Sequence, residues 1–135
     1  MKKITTLIFI MIVITFSSCC LFIKEEHLGN NLYLSESDKV DRRILFSEKK
    51  CSGSGVEIVP MTVLEISYNQ KWIIAKTGSS YQNTNFEYWI IMNYYENTPN
   101  AETIKANTLG PLNYKVFISE LIKKDIQLVL KVIDK

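Results

Sequence analysis

From Leu32 onward the apolar residues of this chain come in short β-branched and aromatic runs, each cut off by Gly, Asn, Ser or Pro. That rhythm is the mark of antiparallel strands joined by turns, and it leaves no room for strand-helix-strand units. Leu32-Tyr33-Leu34 and Ile44-Leu45-Phe46 are the first two candidate strands. The clearest local expectation is a hairpin over 63–77, with Val63 to Tyr68 and Lys71 to Thr77 joined by Asn69-Gln70, because Asn tolerates the left-handed backbone of a tight turn. A two-residue turn there sets Tyr68 against Lys71, Ile66 against Ile73 and Leu64 against Ala75 on the face expected to be core. Ser67 with Trp72 and Glu65 with Ile74 fall on the other face.

Phe86 to Tyr95 is apolar on both faces, with Tyr88, Ile90 and Met92 on one and Trp89 and Ile91 on the other, so a central strand is expected. Asn113 is placed to cap a helix of about 114–124, in which Tyr114, Phe117, Ile118, Leu121 and Ile122 form one apolar stripe that should pack on the sheet. Gly110-Pro111 should end whatever precedes it. Gln127 to Ile133 alternates as a final strand, with Leu128, Leu130 and Val132 on one side. The expected fold class is therefore α+β: a small, mainly antiparallel sheet with one C-terminal helix on it and a last strand.

The first twenty residues carry a separate message. Lys2 and Lys3 precede an uncharged run from Ile4 to Phe16, and Ser17-Ser18 then lead into Cys19-Cys20. A basic start, an apolar core and small residues before a cysteine are the parts of an export signal. The Phe16-Ser17-Ser18-Cys19 junction resembles the bacterial lipoprotein lipobox, in which a lipid is attached to the cysteine and cleavage makes that residue the new N-terminus. Cys19 is the expected attachment residue; Cys20 is the alternative, and a poorer fit because it puts Cys19 itself before the cut. Ile4 to Ile23 is also close to the ~20 residues a bilayer demands, so a retained transmembrane helix is the competing reading. The resulting organisation is a signal over 1–18, a lipidated tether over 19–31 and a β-rich domain over 32–135.

Lys24 to Asn31 is polar and reads as a spacer. Its Lys24-Glu25-Glu26 resembles the lysine-plus-acid signal by which some diderm bacteria send lipoproteins to the cell surface. The formal net charge of +2 belongs wholly to Lys2 and Lys3, so a processed chain is neutral. A neutral domain has no broad footprint for phosphates, and no nucleic-acid partner is expected. Of the three cysteines only Cys51 lies beyond the lipid junction, which excludes a disulfide scaffold.

Chemical motifs are scarce. Cys51-Ser52-Gly53-Ser54-Gly55 lacks the spacing and context of a hydrolase elbow and the lysine of a phosphate loop, and reads as a connector. The single histidine, His27, sits in the expected spacer, and no metal site or cofactor is expected. Glu57, Glu65, Glu87 and Glu120 are the acids that paired-carboxylate chemistry would have to use. The candidate binding residues are the aromatics near the two polar loops: Tyr81, Tyr88, Trp89, Tyr94 and Tyr95.

Val63 to Ile66, Trp72-Ile73-Ile74-Ala75-Lys76, Tyr88-Trp89-Ile90-Ile91, Gly110-Pro111-Leu112 and the helical Phe117 occur in an order that resembles an uncharacterised family of small bacterial lipoproteins, a domain of unknown function. The resemblance implies a lipid-anchored protein and supplies no catalytic residues. The expected function is a non-enzymatic binding or assembly module of the bacterial envelope, held to its membrane by lipid, on the outer membrane in a diderm, with an envelope protein as partner. An inhibitor or immunity-type protein that blocks an enzyme or toxin is the alternative, and a small hydrolase the third.

Overall fold

The computed structural model describes residues 24–37, 41–49, 54–79 and 85–133. The expected leader, Cys19, Cys20, Cys51 and Tyr81 lie outside those residues, as does the run from Ile4 to Ile23. Among the described residues no helix is long and apolar enough to cross a membrane.

The α+β class with mainly antiparallel strands is what the chain forms. Strands β1 (Lys24–Gly29), β2 (Leu32–Glu36), β3 (Arg42–Phe46) and β4 (Val56–Val59) make a meander in that order. Pro60 follows β4, and with no N–H to donate it suits the point where the chain leaves that ladder. The second sheet contains β5 (Val63–Tyr68), β6 (Trp72–Thr77), β7 (Glu87–Met92), β8 (Thr108–Leu112) and β9 (Lys131–Val132), in the order β8-β7-β6-β5-β9. Two helices, α1 (Ala101–Ala106) and α2 (Tyr114–Lys123), complete the described elements.

Alternation assigns the layers. Leu32, Leu34, Ile44, Phe46 and Val59 of the first sheet meet Val63, Ile66, Ile73, Ala75, Trp89 and Ile91 of the second in one buried layer, which Ile104 of α1 joins. The intervening residues Ile74, Tyr88 and Ile90 point the other way, into a smaller layer with Phe117 of α2 and with Ile126. Strands β6 and β7 are thus buried on both faces, the condition expected of Phe86 to Tyr95. Each aliphatic side chain fully buried in this way contributes about 1.5–3 kcal/mol.

The hairpin forms, but its turn sits one residue later than expected. Asn69 pairs with Trp72, its N–H donating to the Trp72 carbonyl at 2.9 Å, while its Oδ1 accepts from the N–H groups of Lys71 at 2.8 Å and Trp72 at 2.9 Å. Gln70-Lys71 is therefore the loop. Tyr68 faces Ile73 and Ile66 faces Ala75, not Lys71 and Ile73. Moving the turn by one residue shifts the pairing by two, and a shift of two leaves every side chain on its original face. Ile66, Ile73 and Ala75 consequently lie in the inter-sheet core as expected. A bulge between Val63 and Glu65 then brings Val63 into that core and leaves Leu64 half-buried.

Other expectations are corrected. Lys24–Gly29 is no spacer but edge strand β1, paired in register from Lys24 with Glu36 to His27 with Tyr33. The last strand shrinks to Lys131–Val132 against Glu65 and Ile66, and residues 126–130 pack without a ladder. Gly110-Pro111 does not end an element but lies inside edge strand β8, where the missing proline donor is tolerated. Gly110 has φ +152 and its Cα abuts the Trp89 ring: an added Cβ would collide with Trp89 Cε3.

One buried side chain fastens the sheets together at their turns. Asn93 Nδ2 donates to the carbonyls of Leu28 at 2.8 Å and Asn69 at 2.9 Å, and the Asn93 carbonyl accepts from Asn30 Nδ2 at 2.6 Å. Gly29, at φ +112, makes room for this amide, which an added Cβ would approach to 2.9 Å.

Candidate functional site

Helix α2 begins where the Asn113 Oδ1 accepts the Val116 N–H at 2.9 Å, satisfying one of the orphan donors of the first turn. Phe117 then stacks on Tyr88 with ring centroids 4.8 Å apart, and Tyr114 tilts against the same ring at 5.4 Å. Asp125, at φ +52, reverses the chain, and the Ile126 N–H donates back to the Leu121 carbonyl at 2.9 Å. The returning residues pack Leu128 and Leu130 against the same layer.

Helix and returning segment leave a cleft of about 350 Å³ over the outer face of the second sheet. Ile74 and Tyr88 come from the sheet, Phe117, Ile118 and Leu121 from the helix, and Leu128 and Leu130 from the returning chain. Its polar corner is the ion pair of Lys76 Nζ with Glu65 Oε1 at 2.7 Å, and the same ammonium lies 4.3 Å from the centroid of the Phe86 ring. Tyr114 and Val129 also line it, and they remain 61% and 73% exposed. Such a recess can take an apolar chain while offering one ammonium and one carboxylate for orientation.

The five aromatics expected to bind do not form one patch. Tyr88 is in this cleft but largely buried. Trp89 points to the opposite side of β7, into the inter-sheet core, with its indole N–H donating to Thr77 Oγ1 at 3.0 Å. Tyr94 is exposed. Tyr95 packs against the inter-sheet core with a buried hydroxyl that has no hydrogen-bond partner among the described residues, and burial raises its pKa. Tyr81 lies outside the described residues.

Two members of the expected helical stripe are corrected: Tyr114 and Ile122 are exposed, because the ten-residue helix buries Phe117, with Ile118 and Leu121 partly buried, and Tyr114 meets the Tyr88 ring only from the rim. Tyr114 and Val129 were missing from the expected site. Tyr114 looks like a core residue by helical periodicity, Val129 falls on the Gln127 and Lys131 side of the expected last strand, and only the position of the helix and the path of 126–130 show that the two form a rim.

The acids do not converge. Glu57 pairs with Arg43, Glu65 with Lys76, and Glu120 with Lys123 at 3.7 Å, while Glu87 stands opposite Thr77 in the ladder. Among the described residues no three His, Cys, Asp or Glu side chains are grouped to hold a metal ion. His27 is not a loose linker residue: β1 sets its ring 4.9 Å from that of Tyr33 across the strand pair. Comparison with family models, curated proteins and solved structures gave no match.

Proposed function

We propose that this chain is a lipid-anchored, non-enzymatic binding module of a bacterial envelope that receives an apolar segment of an envelope protein in the cleft beneath α2. The reading joins the signal-like sequence ending at Cys19 to a recess whose rim leaves large apolar side chains in water. The single observation that carries the binding role is this rim. Tyr114 and Val129 stand beside the cleft at 61% and 73% exposure. Apolar side chains gathered at a recess, unlike those scattered singly over a surface, mark a contact face. The resemblance to small uncharacterised lipoproteins in the Trp72 to Lys76 and Tyr88 to Ile91 segments agrees with the anchor.

Crosslinking in cells, with the rim altered, tests both halves. The double substitution Tyr114→Glu, Val129→Glu should reduce the recovered envelope protein by about tenfold, the scale set by losing a contact of roughly 1.4 kcal/mol, with an unchanged melting temperature. Cys19→Ala should move the protein out of the membrane fraction. Undiminished recovery with the charged rim would end the binding role, and a membrane-bound Cys19→Ala protein retaining Met1 would end the anchor.

A further inference from the structure

The lipid anchor proposed above acquires a direction once β1 is seen to start at Lys24, already paired with Glu36. Only residues 20–23 separate Cys19 from that strand. At no more than about 3.6 Å per extended residue, Lys24 lies within about 18 Å of the attachment point. A strand beginning at Lys24 keeps the domain closer to the anchor than a spacer through Asn31 would.

Lys24 opens onto a groove of about 350 Å³ along the side of the sandwich where edge strand β1 approaches β5 and edge strand β9. Lys131 and Val132 of β9 and Tyr68 of β5 line the same groove. Both lysines are exposed, Val132 is 73% exposed and Tyr68 is 38% exposed. Glu26, the one acid among the described residues that line the groove, accepts a hydrogen bond from the Tyr68 hydroxyl at 2.6 Å. Two ammonium groups on long stems, an exposed aliphatic side chain and a phenol suit a bilayer interface, where cations meet phosphates and amphipathic side chains lie among headgroups.

We infer that the β1/β9 edge is the membrane-facing side of the domain, with Lys24 and Lys131 holding phospholipid phosphates beside the anchor. Edges β4 and β8, with α1 beside β4, then face away from the bilayer. The inference rests on the lipid-anchor reading, and the test separates the two.

The protein extracted from its own membranes, with Cys20→Ser and Cys51→Ser removing stray thiols, is fluorescently labelled through Val132→Cys or through Lys105→Cys on α1. It is then placed in vesicles of phosphatidylethanolamine and phosphatidylglycerol that contain a spin-labelled lipid. The label at 132 should be quenched at least about threefold more than the label at 105, and Lys24→Glu with Lys131→Glu should erase most of the difference. Each lysine near an anionic surface is worth about a fivefold change in occupancy, so the double reversal exceeds the noise of the method. Equal quenching at the two positions would overturn the orientation while leaving the anchor intact. A mass spectrum of the same sample with no lipid on Cys19 would remove the anchor, and the orientation with it.

Discussion

The two sheets present opposite solutions on their outer faces. On the first, Arg43 projects between Asp41, 3.0 Å away, and Glu57, and those two acids raise its already high pKa. Ser35 and Glu25 share its row, so polar side chains fill that part of the face, while the neighbouring outward pair Tyr33 and Leu45 is buried. On the second, the outward positions are Ile74, Tyr88 and Ile90, and the chain covers them with α2 and the residues that follow it. A ten-residue helix spans about 15 Å, too short to roof the whole face, and the uncovered remainder is the cleft. The contrast teaches that the lid and the recess have one cause: β6 and β7 are apolar on both sides, while β3 is apolar mainly on one.

The sharpest way to break the contrast is to remove the lid's most deeply buried side chain. Phe117→Ala should cost about 3–5 kcal/mol in urea unfolding, against about 1 kcal/mol or less for Arg43→Ala on the other sheet. Similar losses at both positions would mean that the two faces are not held differently.

The neighbouring arginines sharpen it next. Arg42 points inward where Arg43 points outward; it is nearly buried, 3.4 Å from Glu36, and its Nε and Nη2 make no hydrogen bond among the described residues. The 3.4 Å approach is thus an ion contact without hydrogen-bond geometry, and Glu36 is the charge that offsets it. Glu36→Gln should cost about 3 kcal/mol by leaving a buried cation uncompensated, whereas Glu57→Gln should cost about 0.5 kcal/mol. Thermal melts at neutral pH will show the ratio, and Arg42→Met should recover most of the Glu36→Gln loss.

Asn113→Ala removes the helix cap alone and should cost about 1 kcal/mol, read by the same unfolding curve. The smallest effect belongs to alkali. Burial raises the folded-state pKa of Tyr95 above its ordinary value of 10.0, so the unfolded chain loses that proton first. Stability from this group is fully present below pH 10 and is lost as pH rises through the folded-state value. Tyr95→Phe should flatten that alkaline limb in a pH series of melts.

Strands and faces were legible in the sequence where the signal is local. The α2 start follows from Asn113, and the core face of the hairpin survives its misplaced turn because parity, not register, decides which side is buried. Strand β1 was not legible: Lys24, Glu25, Glu26 and His27 show no alternation, since as an edge strand it buries little beyond Leu28. Helix α1 has one buried residue, Ile104, and six residues with a single apolar anchor carry no period. The division into two sheets depends on long-range packing through Asn93 and the inter-sheet core, which no window of sequence contains. Of the residues that line the cleft, Tyr88 was singled out in the sequence as an aromatic beside a loop, while Tyr114 and Val129 needed the position of α2.

Photo-crosslinking in living cells, with the reactive residue placed at Val129 in one strain and at Arg43 in another, tests most directly that the helix-covered face is the one that recognises a partner. The account predicts a discrete crosslinked envelope protein from position 129 and none from position 43. Crosslinks of equal yield from both, or from 43 alone, would contradict it.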